Sequence, residues 1–359
     1  MNKIYNIKNL IAIIILLFAS VACDDSLDQV PSDKVSIDRL LNKSSIVNFK
    51  DNAYKQLPGS FTLFSNGTMR EAFSDDAFRA GDGKSYEWHN GLLSLSNTFF
   101  SSTIWNECWL GVRRCNLAIE YLPQSKVDKK YLSDEDIERY LDEVKVLRAW
   151  YHFMLIKNFG PVPFIDVAYG PSFDGWKDMI RPTYQEITDR IVEELDAVIN
   201  NDALVLRRRN EVEYELINKA VPYALKSRVL LYNASILNNP SNDRDKWLAA
   251  SQAAQACIDA ITPEYGLVPM SEYTTLFTQE IKQFNKEVIF RSSQNSAAAT
   301  NSSNGIDLSE YGSRDQSSNC GAVPTQELVD CFELKNGSLP VASYSNADHT
   351  LASFNAGYT

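Results

Sequence analysis

The stretch from Glu143 to Pro163 reads Glu-Val-Lys-Val-Leu-Arg-Ala-Trp-Tyr-His-Phe-Met-Leu-Ile-Lys-Asn-Phe-Gly-Pro-Val-Pro, and it constrains the fold more than any other. With its lead-in, apolar side chains fall at Ile137, Tyr140, Leu141, Val144, Leu147, Tyr151, Met154, Leu155 and Phe159. Steps of three and four draw one wide stripe down a helix of about 3.6 residues per turn. Ser133, three residues before Asp136, is a cap, and Gly160-Pro161 is a stop. Ala149 beside Arg148 lets a second helix approach closely while the guanidinium reaches a carboxylate or a carbonyl. The spacing predicts a core helix.

The same period recurs along the chain. It predicts helices over Ile46 to Leu57, over Ile104 to Leu122 with Pro123 as its stop, and over Thr183 to Ile199. The last of these is capped by Thr183 with Glu186 and started by Pro182. Ala220 to Leu237 carries Pro222 where a first turn tolerates it, and Asp245 to Ile261 lines up Trp247, Ala250, Ala254, Cys257 and Ile261 on one stripe. Helix pairs recurring at some tens of residues predict a mostly α fold. The expected architecture is a tetratricopeptide-like repeat scaffold over roughly 104–261, with irregular loops and a few short strands; the repeats keep no strict period, and this expectation rests partly on the family resemblance given below. Such a stack does not readily place catalytic groups, but it offers a broad face to a partner.

Asn66 to Leu93 differs. It has little periodicity, several glycines, and Arg70, Glu71, Asp75, Asp76, Arg79, Tyr86, Trp88, His89 and Asn90. Sugar binding needs an aromatic ring against the apolar face of a pyranose, and charged or amide groups for its hydroxyls. Asp75, Asp76, Arg79, Trp88 and Asn90 are therefore the candidate ligand-binding residues. The alternative reading is a solvated loop with Trp88 tucked into the core. Aromatic residues make up 11% of the chain, an ordinary share, so their number alone indicates no sugar site.

Several of these stretches carry a resemblance. Leu147-Arg148-Ala149-Trp150-Tyr151-His152-Phe153, followed by Phe159-Gly160-Pro161-Val162-Pro163, resembles the signature helix of the SusD/RagB family. Members are nutrient-binding lipoproteins on the outer surface of Bacteroidetes-type bacteria. Trp109-Leu110-Gly111-Val112-Arg113-Arg114-Cys115-Asn116 is similar to a second landmark helix, and the run from Tyr223 to Ala234 to a third. Glu287-Val288-Ile289-Phe290 is similar to a strand of the family, and Leu328 to Glu333 with Asn336-Gly337 to a short helix and turn. The resemblance implies capture of an oligosaccharide or other nutrient and its delivery to a SusC-like TonB-dependent transporter. It also implies binding residues drawn partly from the Asn66 to Leu93 region. It covers Cys23 to Gly337 as one domain. Members are longer, so 338–359 is expected to be an incomplete C-terminal region.

The start of the chain fits an exported lipoprotein. Met1 to Ala22 has Lys3 and Lys8, then an apolar run from Leu10 to Phe18 that is too short to span a bilayer as a helix. Ser20-Val21-Ala22-Cys23 resembles a lipobox, with Ser where Leu is usual, and Asp24-Asp25 resembles the acidic export tag of such lipoproteins. Cys23 is thus the lipidation candidate, a membrane tether contributing about 0.8 kcal/mol per buried methylene. An ordinary signal with a nearby cysteine is the alternative. The net charge is −11, and loss of Lys3 and Lys8 with the signal makes it −13. An acidic surface argues against nucleic acid or anionic lipid as a partner.

Five cysteines remain, Cys108, Cys115, Cys257, Cys320 and Cys331, an odd number that cannot all pair internally. Cys108 and Cys115, seven apart on one helix face, read as small apolar packing groups. No spacing calls for a metal or a cofactor, and there is no G-x-S-x-G, Walker loop, H-E-x-x-H or G-x-G-x-x-G. His152 reads as a packed residue rather than a base. Adjacent Asp75 and Asp76 do not suit a glycosidase, whose carboxylates face each other across about 5–9.5 Å. A glycan-binding lipoprotein is the leading reading. A helical scaffold without a small ligand, and a surface glycan hydrolase, are the alternatives.

Overall fold

The long helix predicted around Glu143 runs over Asp134–Phe159, and both ends form as the sequence indicates. Ser133 Oγ accepts from the Asp136 N–H at 3.0 Å, and the N–H of Gly160, at φ 75°, reaches Ile156 O at 3.1 Å. The computed structural model describes residues 43–57, 70–79, 83–92, 99–124, 132–170, 172–207, 215–262, 264–278, 286–291, 322–344 and 352–354. The leader with Cys23 lies outside them, as does a Ser/Asn/Gly-rich stretch without helical periodicity, Ser292 to Gly321, that contains Cys320. Among the described residues no helix is long and apolar enough to cross a membrane.

In chain order the helices are α1 (Lys43–Tyr54), α2 (Gly83–His89), α3 (Phe99–Tyr121), α4 (Asp134–Phe159), α5 (Tyr184–Ile199), α6 (Ala220–Ala234), α7 (Arg244–Ile261), α8 (Thr275–Thr278) and α9 (Gln326–Asp330). From α3 to α7 each helix packs on the next, while α1 lies against both α3 and α4. The fold is mostly helical. Among the described residues there are two small antiparallel ribbons, β1 (Ala77–Arg79) with β2 (Ala322–Pro324), and β3 (Val341–Tyr344) with β4 (Ala352–Phe354). Glu287–Phe290 does not form the expected strand. It is an irregular strap held by Asn218 Nδ2 on Ile289 O at 2.9 Å and by Glu287 Oε1 accepting from the Val268 N–H at 2.7 Å.

The α4 helix is buried on more than the single stripe its apolar spacing draws, because its polar residues are also covered. Asp142, Glu143, Arg148 and His152 are all buried. Each is satisfied, as burial of charge requires. Tyr54 Oη donates to Glu143 Oε2 at 2.8 Å and accepts from the Ile217 N–H at 2.9 Å. Asp142 Oδ2 accepts from Asn201 Nδ2 at 2.7 Å. Arg148 donates to Glu194 on α5 (Nε to Oε1, 2.9 Å) and to Asn116 Oδ1 on α3 at 2.8 Å. The small residues allow this closeness. A Cβ on Gly111 would stand 2.6 Å from the ring of Tyr151, whose hydroxyl donates to Ala53 O at 2.6 Å. Cys108 and Cys115 pack in the same layer as free thiols, and burial pushes the Cys108 thiol up to about 12.

Two helices depart from their expected outlines. The α6 helix stops at Ala234 rather than Leu237. Asn238 Nδ2 takes Tyr232 O at 2.9 Å, and Asn239 Oδ1 accepts from the Asp243 N–H at 2.8 Å. Asparagine side chains here outbid the helical ladder. On α7 the covered face is Ala250, Ala253 and Cys257, while Trp247 stays 42% exposed and donates to Asn242 Oδ1 at 3.1 Å. Ala254 is exposed, so the predicted stripe is rotated. The Thr183–Glu186 capping box of α5 forms in full.

Candidate functional site

The candidate residues from Asn66 to Leu93 sit in a small assembly of their own rather than in a structureless loop. A 3-10 turn (Arg70–Phe73), β1 and α2 pack together. The β1–β2 ribbon then ties them to a segment some 250 positions later. Asp75 and Asp76 are exposed on the turn before β1. Their carbonyls accept from Thr325, whose N–H reaches Asp76 O at 2.9 Å. The backbone of Arg79 pairs with Ala322. Trp88 lies on α2, half-buried, its ring edge-on to the buried Phe73 at 5.5 Å between centroids. The Asn90 amide donates to Tyr86 O at 2.8 Å and so closes its own helix. The backbone of the fold therefore brings these residues into one patch.

A groove lies elsewhere, between α3 and the irregular segment 162–181. It encloses about 530 Å³, within the ~300–1,000 Å³ usual for small-molecule sites. Trp105, Trp109, Tyr169 and Trp176 line it together with Arg113 and Arg181. Its floor is built from the signature stretch. His152 Nε2 accepts from the Ile165 N–H at 3.1 Å while its Nδ1–H donates to Arg148 O at 2.9 Å, which fixes a neutral ring. Burial, helped by the Arg148 charge, pushes this imidazole down to about 3, against the opposing pull of its bond to the Arg148 carbonyl. The ring stacks on Phe164 at 4.2 Å and meets Trp109 edge-on at 6.1 Å. Asn116 holds the same strap with 3.0 and 3.1 Å bonds to Ile165 O and Val167 O. His152 is thus a positioning residue for the groove wall, not a base.

The outer wall is aromatic. Tyr169 and Phe173 stack at 3.9 Å with 15° between their planes, and Trp176 stands edge-on to both, at 5.2 and 4.8 Å. Gly175 makes room for this, since a Cβ there would stand 2.5 Å from the Phe173 ring. Arg113 donates to Tyr169 O, anchoring the cluster to α3. Trp176 remains 54% exposed, a ring face available to a ligand. The sequence reading passed over Tyr169, Phe173, Trp176 and Arg181. Their signal is the same one used for Asn66 to Leu93: rings beside cations in a glycine-bearing, non-periodic stretch. A second groove, of about 590 Å³, lies between α4, α6 and the 287–290 strap, with walls mostly of aliphatic side chains such as Val146, Leu147 and Leu225. Neither groove is lined by Asp75, Asp76, Trp88 or Asn90.

The model of the SusD-like family described as starch-binding, associating with outer membrane, matches residues 25–231. Among solved structures, the chain is similar to a SusD-like protein from Bacteroides fragilis, with a TM-score of 0.64 and 21% identity over 87% of this chain and 57% of that one. It is similar to surface glycan-binding protein A from Bacteroides fluxus, with a TM-score of 0.57 and 19% identity over 81% and 62% of the two chains. A SusD superfamily protein from Bacteroides vulgatus gives a TM-score of 0.56 and 15% identity over 80% and 62%. These likenesses show the fold. The chain spans between 57% and 62% of the length of these three structures. No curated protein matches it.

Proposed function

The chain belongs to the SusD-like family of starch-binding proteins associating with the outer membrane, and from that premise we propose that it captures oligosaccharide at the cell surface. In this reading it holds the glycan in the groove between α3 and segment 162–181 and delivers it to a SusC-like TonB-dependent transporter, with Cys23 as its lipid anchor. The observation that carries the binding site is the pairing of an exposed, edge-supported ring, Trp176, with guanidinium groups on the same groove. Rings stack on the apolar face of a pyranose, and fork-shaped donors satisfy its oxygens. The patch of Asp75, Asp76, Arg79, Trp88 and Asn90 is proposed as an additional contact surface. No step of bond-breaking chemistry is assigned. Its name from the family is a binding one, and the ionisable His152 is locked into the wall.

Retention in polysaccharide-containing native gels tests the groove. Trp176→Ala is expected to abolish most of the retardation with only a small change in melting temperature, because the ring is more than half exposed and loses only its edge contacts with Tyr169 and Phe173. A mutant retarded as strongly as the wild type would remove the groove from the reading. Release of reducing sugar from the same polysaccharides would instead favour a hydrolase.

A further inference from the structure

We propose that the groove between α3 and segment 162–181 selects an acidic glycan, one bearing carboxylate or sulfate groups, over a neutral one; this rests on the groove being the glycan site. The chain as a whole is strongly acidic, at −11. The groove lining departs from that balance, because among the described residues it includes Arg113 and Arg181 and no aspartate or glutamate. Two guanidinium groups lining one groove attract anions.

The nitrogen groups of the lining sharpen the point. The Asn116 amide is fully engaged, donating to two carbonyls and accepting from Arg148. What remains are donors. Arg113 makes one bond, to Tyr169 O, and its guanidinium has further N–H groups. Arg181 is exposed and has no partner among the described residues. Guanidinium groups match planar carboxylate and tetrahedral sulfate oxygens with paired, charge-assisted hydrogen bonds, whereas a neutral hydroxyl takes one donor at a time. Beside them Trp176 offers the ring face for the sugar itself. An aromatic face with two cations and no carboxylate is the complement of an acidic pyranose.

Calorimetric titration of the purified chain with oligogalacturonate, a sulfated oligosaccharide and a neutral maltooligosaccharide tests this. One or both acidic ligands are expected to bind at least about tenfold more tightly than the neutral one, and more weakly as salt rises. Arg181→Gln should remove most of that preference. Its side chain is exposed and has no partner among the described residues, so the melting temperature serves as the control. Which acidic ligand binds separates carboxylate from sulfate recognition. Equal or tighter binding of the neutral sugar, lost in Trp176→Ala, would overturn the acidic preference and leave the groove as the glycan site. Acidic binding that ignores both salt and Arg181→Gln would overturn it as well. No binding of any of the three by a folded chain would sink both readings together.

Discussion

At the scale of single residues, His152 shows how a group that invites a catalytic reading becomes a structural one. Its two nitrogens are matched to one donor and one acceptor, so only the neutral ring fits. Between pH 6.5 and about 3 the unfolded chain takes up a proton at this position and the folded chain does not. Stability therefore rises with pH across that window and is lost as pH falls through it, by up to about 1.4 kcal/mol per pH unit. Urea unfolding at pH 6.5, 5.5 and 4.5 is expected to show a shallower pH slope in His152→Gln than in the wild type. Identical slopes would mean that the ring is protonated in the fold. Trp88 is the other residue with two readings. Its ring leans on Phe73 yet stays half-buried on a short helix. Trp88→Ala is expected to weaken glycan retention by about 1–3 kcal/mol with a small change in melting. A loss of about 3–5 kcal/mol of stability instead would assign the ring to packing alone.

At the scale of elements, α4 organises the others. Its apolar side chains and its buried ions both face neighbours: α1 through Glu143, α3 and α5 through Arg148, and the approach to α6 through Tyr54 and Ile217. Leu147 is 1% exposed, and Leu147→Ala should cost about 2–5 kcal/mol by the lost transfer and the cavity left behind. Glu138, exposed on the same helix, should accept Ala within about half a kcal/mol. Chemical denaturation of the two mutants decides whether the buried face is drawn correctly, since equal shifts would contradict it. Breaking the Arg148–Glu194 pair from one side would be costlier than either charge suggests, because the remaining ion would stay buried.

At the scale of the whole molecule, a stack of helices supplies rigidity and the irregular segments supply chemistry. The α3–α7 succession positions segment 162–181 through Asn116, His152 and Arg113, so the groove is a product of the scaffold rather than of one loop. In the proposed role at a cell surface, the groove depends on attachment. If Cys23 carries the lipid, Cys23→Ala is expected to move the protein from the membrane fraction to the soluble fraction. A mutant that still sediments with membranes would exclude the anchor.

Period and punctuation carry information locally, which is why Ser133, Gly160, Thr183 and Glu186 marked helix ends that the fold reproduces. The run from Leu147 to Pro163 could resemble a family signature because its residues are contiguous, and the family model matches residues 25–231 around it. Other features are sums over distant segments and have no local signature. Asparagines beyond Tyr232 ended α6 early, and with α6 packed against it the covered face of α7 turned toward Ala253. The groove is of this kind. Trp105 and Arg113 belong to one helix, Tyr169 and Trp176 to a segment some 60 residues later, and only the folded chain sets them side by side. Helices are specified by neighbours three and four positions apart, whereas a binding face is specified by which helices meet, and that is decided by tertiary packing.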